Sequence, residues 1–75
     1  MDNYQQYISL DPAIRFGKPC IKGTRITVQD ILNWLASGMT NEEILEDFPE
    51  LELVHIRAAL FFAADSERRT RLVAA

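Results

Sequence analysis

Between Thr27 and Pro49 the sequence punctuates itself so closely that few architectures can accommodate it. Thr27 reads as a helix N-cap, and Asp30 falls three residues later, near the positive end of the helix dipole. Val28, Ile31, Leu32 and Leu35 then recur at i, i+3, i+4 and i+7, with Trp34 at the edge of that stripe. Gly38 stands where the chain must leave the helix through a left-handed residue. Thr40-Asn41-Glu42-Glu43 is a capping box that opens a second helix, whose stripe is Ile44, Leu45 and Phe48 and which Pro49 stops. The punctuation predicts helices over 28–37 and 41–48. A third begins near Glu52, with Leu53, Ile56, Leu60, Phe61 and Ala64 as its expected buried stripe. The acid-first pairs Asp65/Arg69 and Glu67/Arg71 carry that helix on toward Leu72.

Upstream of Thr27 the chain reads as extended. Ile8-Ser9-Leu10 alternates apolar and polar, Asp11-Pro12 and Phe16-Gly17-Lys18-Pro19 are turn chemistry, and Cys20-Ile21 and Arg25-Ile26-Thr27-Val28 flank a tight turn at Lys22-Gly23-Thr24. Such short strands are not stable alone, so they must pack on the helices or on another chain. The expected organisation is one domain over 1–75: a β arm or hairpin at 1–27, a three-helix bundle at 28–66 and a basic tail at 67–75.

Seventy-five residues bury only about 60% of the surface of their unfolded chain, which makes a thin core. The single cysteine, Cys20, cannot staple that core by an internal disulfide, and it fits a reducing cytoplasm. Self-association is the remaining common remedy, so a homodimer is expected. No apolar run approaches the ~20 residues of a membrane span. Residues 1–7 have neither the basic stretch nor the apolar run of a signal peptide, so none is expected.

Charge divides the chain into three zones. Residues 1–27 sum to +2, with Arg15, Lys18, Lys22 and Arg25 against Asp2 and Asp11. Residues 28–53 sum to -7 and contain no base. Residues 54–75 sum to +2, with Arg57, Arg68, Arg69 and Arg71 against Asp65 and Glu67. Zoning of this kind bears on partners rather than on fold. Glu46 and Asp47 sit at the C-terminal end of the second helix, where the dipole disfavours them, and Glu42/Glu46 and Glu43/Asp47 are like-charged i, i+4 pairs. A local rule broken in this way points to an acidic face of Glu42, Glu46 and Asp47 that docks a basic protein surface.

Enzyme chemistry finds little to work with, and none is expected. One His and one Cys supply neither a catalytic pair nor the four ligands of a zinc site, and the acidic pairs read as a solvated face rather than a Mg²⁺ site. No metal or cofactor is expected. Gly17 to Gly23 is one residue too long for a phosphate loop and lacks the following lysine. The helix pair around Phe48-Pro49-Glu50-Leu51 is helix-turn-helix-like, which would make the third helix a recognition helix. On that reading Arg15, Lys18, Lys22, Arg25, His55 and Arg57 are the candidate DNA-binding residues, although Glu52 meets phosphate with the wrong sign.

Ile8-Ser9-Leu10-Asp11-Pro12, Gly17-Lys18-Pro19-Cys20-Ile21-Lys22-Gly23-Thr24-Arg25-Ile26, Gly38-Met39-Thr40 with Glu43-Ile44, Phe48-Pro49 and Ile56-Arg57-Ala58-Ala59-Leu60 together resemble the prokaryotic domain-of-unknown-function family 433. The resemblance spans roughly 7–65, and its most specific part is Gly17-Lys18-Pro19 with Gly23-Thr24-Arg25. It implies a mainly α, helix-turn-helix-like fold related to winged-helix and homeodomain-like domains, with a short N-terminal β element. It also implies the antitoxin of a type II toxin–antitoxin pair, acting on a PIN-like nuclease and autoregulating through DNA. No catalytic residues carry over from it, and the sequence departs from the family's usual pattern at Glu52, Val54 and His55. On this reading Glu42, Glu46 and Asp47 meet the toxin, and Arg68, Arg69 or Arg71 enters the acidic, metal-holding centre of the nuclease. A DNA-binding transcriptional regulator and a purely structural dimerisation module are the alternatives.

Overall fold

The computed structural model describes residues 3–74, with side chains as far as Arg68. A 3-10 turn at Tyr4–Tyr7 leads into β1 (Ile8–Ser9), which pairs antiparallel with β2 (Cys20–Ile21) in the register Ile8 to Ile21 and Ser9 to Cys20. Three helices follow: α1 (Val28–Ala36), α2 (Asn41–Asp47) and α3 (Leu53–Ala74). This is the expected mainly helical fold with a short N-terminal β element. The second expected strand is shorter than its β-branched composition suggested: past the turn there is an isolated bridge from Thr27 to Cys20, flanked by the bonds from the Ile21 N–H to the Ile26 carbonyl (2.8 Å) and from the Val28 N–H to the Pro19 carbonyl (2.9 Å). Val28 cannot extend that strand because Thr27 already caps α1.

Local chemistry sets each helix boundary. The Thr27 hydroxyl accepts the Asp30 N–H at 2.8 Å, and the Asp30 carboxylate accepts the Thr27 N–H at 3.0 Å. Thr40 and Glu43 repeat this reciprocal arrangement at α2, with distances of 3.1 and 2.9 Å. At the end of α1, Gly38 has φ +101°, its N–H bonds the Leu35 carbonyl, and the Met39 N–H reaches back to Trp34 at 3.1 Å. That pair of bonds is a Schellman closure. A Cβ at Gly38 would meet no atom within 4 Å, so the penalty for adding one lies in the backbone alone. Gly38→Ala is expected to destabilise the fold by about 1 kcal/mol, lowering the thermal midpoint by roughly 4–8 °C in a melt followed by circular dichroism.

The core draws on every element. Ile21 and Ile26 from the β region, Val28 and Ile31 from α1, Ile44 from α2, Leu51 from the connection and Ile56 and Ala59 from α3 form one buried cluster. Trp34 and Phe48 stack at 4.1 Å and close its edge. Cys20 lies fully buried beside this cluster, its thiol 3.4 Å from the Lys18 carbonyl.

The sequence stripe on α3 needs correction. Leu53, Leu60 and Phe61 are 40%, 46% and 41% exposed, and Ala64 is exposed as well. The buried positions are Ile56, Ala58 and Ala59, with Phe62 and Ala63 half-buried. Small alanines let α3 approach its neighbours closely. The N-terminal turn covers another flank: Tyr4 stacks on Phe61 at 6.2 Å and its hydroxyl donates to Asp65 at 2.7 Å, while the Tyr7 ring meets His55 edge-on at 5.8 Å. Asp65 also accepts from Arg68 at 2.6 Å, three residues on. The side chains of Arg69, Arg71 and Leu72 lie outside the described residues. The backbone of α3 passes through position 67 without a break, so the segment expected as a tail is helical as far as Ala74.

Candidate functional site

Two surface features stand out from the fold. The first is the outer face of α3, where Leu53, Leu60 and Phe61 recur at i, i+7 and i+8 with exposed Arg57 between them. A half-exposed run of large apolar side chains along one helix is an interaction surface more often than a scattered residue is. The stripe begins at an acidic elbow. Glu42, Glu46 and Asp47 of α2 are exposed, and so are Glu50 and Glu52 of the connection that leads directly into Leu53. Glu43 is exposed as well, but its carboxylate is held in the α2 cap. The Thr40 N–H and then the Thr40 hydroxyl keep that carboxyl below the usual carboxylate range.

The second feature is the set of basic residues, which the fold distributes among different roles. Arg15 is tied down: its Nη1 donates to the Arg25 carbonyl at 2.8 Å and pairs with Asp30 at 3.1 Å. Burial opposes ionisation of Asp30, but the Thr27 N–H, the Arg15 guanidinium and the Thr27 hydroxyl together outweigh it and hold the carboxyl below its ordinary value. Lys18 lines a groove between α1 and α3. Lys22 and Arg25 stay exposed together on the tight turn after β2. His55 accepts the Glu52 N–H through Nδ1 at 2.8 Å, so it closes the start of α3. Arg57 projects on the α3 stripe, and Arg68 is held by Asp65 although its side chain is 74% exposed. Of the six candidate DNA contacts, Lys22 and Arg25 share one exposed turn, while Arg15 and His55 are engaged within the fold.

Sequence reasoning missed the Arg15–Asp30 pair, the Tyr4–Asp65 bond and the exposed side of α3. The Tyr4–Asp65 bond joins residues 61 positions apart and leaves no local signal. Among the described residues no group of three or more His, Cys, Asp or Glu is placed to hold a metal ion, and no helix is long and apolar enough to cross a membrane.

Comparison with known proteins agrees with this architecture. An uncharacterised protein, y4eO, from Sinorhizobium fredii is 33% identical over 67 residues, which are 89% of this chain and 30% of that protein. The chain therefore spans less than a third of this relative's length. The crystal structure of a DUF433 member protein from Anabaena variabilis superposes with a TM-score of 0.74 at 27% identity, covering 97% of this chain and 77% of that one. The family model described as "Protein of unknown function (DUF433)" matches residues 8–63, three-quarters of the chain and the whole buried cluster from Ile21 to Ala59, and this protein belongs to that family.

Proposed function

We propose that this protein is the antitoxin of a type II toxin–antitoxin pair, which binds and neutralises a PIN-like nuclease in the cytoplasm. The observation that carries the reading is the exposed Leu53–Leu60–Phe61 stripe beginning at the acidic elbow of Glu42, Glu46, Asp47, Glu50 and Glu52. A nuclease must attract a polyanion, so the surface around its active centre is basic. An acidic elbow complements such a surface, and the adjoining apolar stripe supplies the desolvated contact that holds it. The C-terminal arginines then lie at the far end of the same helix, where a guanidinium can fork onto the carboxylates that hold the nuclease's metal.

Co-expression with the adjacent open reading frame tests this. The two proteins are expected to co-purify. Leu60→Glu with Phe61→Glu is expected to abolish capture, and Glu42→Gln with Glu46→Gln and Asp47→Asn is expected to weaken it and increase its sensitivity to salt. Removal of 66–75 is expected to abolish inhibition of nuclease activity. A partner that fails to co-purify, or a complex indifferent to the apolar and acidic substitutions, overturns the reading.

One observation favours a second role as an autoregulator: Lys22 and Arg25 stand exposed on one turn beside a helix-turn-helix-like body. Its mark is salt-sensitive binding to the protein's own promoter, lost in Lys22→Ala with Arg25→Ala.

A further inference from the structure

Phe16 is 96% exposed, more than any other large apolar side chain described, and it stands on costly backbone. Arg15, Phe16 and Gly17 are successive left-handed residues with φ of 50°, 61° and 81°. Only the glycine adopts that region freely, so the two side-chain-bearing residues are strained, and the exposed ring gains no packing in return. The loop is nonetheless fixed. Arg15 is clamped to Arg25 and Asp30, and the Ile14 and Gly17 N–H groups bond the Asp11 and Ile14 carbonyls at 2.9 and 3.0 Å. Gly17 lies against Pro12, 3.7 Å from where a Cβ would stand. Strain held in place by surrounding structure marks a functional feature, and a rigid aromatic presented to solvent is the usual anchor of an interface.

A socket lies close by. Lys18 and Pro19 form one wall of a groove of about 430 Å³, with Val28 and Leu32 of α1 and Phe62 and Ala63 of α3 as the others. Phe16 is two residues from Lys18, hence within ~7 Å along the chain, but its exposure shows that it does not fill its own groove. An anchor beside a socket that it does not occupy is what a twofold interface requires, because each copy must offer both halves of the contact.

We propose that the groove is covered by a second copy of this chain: Phe16 of each protomer enters the other's groove between α1 and α3. Charge agrees with this exchange. Asp11, in no ion pair among the described residues, lies on the loop that carries Phe16, and Lys18 lies on the groove it would approach. Area agrees as well. A phenyl ring buries about 150–250 Å², so two rings and the walls that receive them bury roughly 800 Å². Leu10, 66% exposed at the start of the same loop, extends the contact toward the ~1,200 Å² at which stable interfaces begin. This inference is independent of the antitoxin reading, which uses Leu53, Leu60 and Phe61 of α3 rather than the Phe62 and Ala63 that line the groove.

Light scattering coupled to gel filtration, with sedimentation of the full chain, tests it. The wild type is expected to be a dimer at micromolar concentration. Phe16→Asp and, separately, Ala63→Trp are each expected to raise the dissociation constant by roughly 100-fold or more, with helical circular dichroism retained. Gln29→Trp, on an exposed part of the rim, serves as a groove variant if Ala63→Trp does not fold. Mixing the Phe16→Asp chain with a groove variant leaves one intact anchor facing one open socket, so mixed dimers are expected, weaker than those of the wild type. A wild-type monomer at ~100 µM overturns the proposal. So does a dimer that survives either Phe16→Asp or both groove variants, or a Phe16 that captures a different protein while the chain stays monomeric.

Discussion

Truncating Ile56 to alanine is expected to remove 2–5 kcal/mol of stability and lower the thermal midpoint by roughly 10–30 °C, measured by circular dichroism. Ile56 is fully buried at the centre of the cluster that joins α3 to β2, α1 and α2. Loss of its side chain removes apolar burial and leaves a cavity that isoleucines anchored on other elements cannot fill without moving. A chain of this length has a total stability of only about 4–11 kcal/mol, so one substitution removes a large fraction of it. Leu60→Ala is the control. At 46% exposure Leu60 has little burial to lose, and its truncation is expected to cost less than about 1 kcal/mol. Equal losses at the two positions would contradict the orientation of α3.

Asp30→Ala carries the second largest expectation, a loss of about 2 kcal/mol in urea unfolding. About 1 kcal/mol of this is the cap of α1, where the carboxylate accepts the Thr27 N–H. The Arg15 pair, about one-third exposed, adds less than about 1 kcal/mol, and its loss also frees the strained loop it clamps. The substitution should change the acid response too. The Asp30 carboxyl is held below its ordinary value in the folded chain, so the folded state takes up its proton less readily than the unfolded state does. Its contribution is therefore complete above the unfolded value of about 4 and is lost as pH falls through the lower folded value. Urea midpoints measured from neutral pH to about pH 2.5 should fall more steeply for the wild type than for Asp30→Ala. The remaining acid sensitivity includes Glu43, shifted in the same direction.

Features set by nearest neighbours were readable from the residues. Thr27, Gly38 and the Thr40/Glu43 box act within one helical turn, and each does in the structure what its spacing requires. The face α3 buries was not readable, because it depends on what packs against the helix. Leu53, Leu60 and Phe61 satisfy a helical period as well as Ile56, Ala59 and Ala63 do. Tyr4, which flanks Phe61 and Asp65, comes from the other end of the chain. Volume misled in the same way, since Ala58 and Ala59 are fully buried while larger neighbours stay outside. Among the candidate site residues, the acidic elbow was legible as a charge run with no compensating base. The role of Arg15 was not, because its partner Asp30 lies 15 positions away and belongs to a helix cap. Nothing local except Gly17 hinted at the left-handed path that lifts Phe16 off the surface.

The chain contains a single tryptophan, and that indole stacks on Phe48 at an angle of 12°, where α2 ends and the connection to α3 begins. Its emission therefore serves as a built-in optical gauge of that junction. A ligand or partner that pries α2 away from α1 will redden the fluorescence, whereas one that settles on the outer face of α3 will leave the spectrum unchanged.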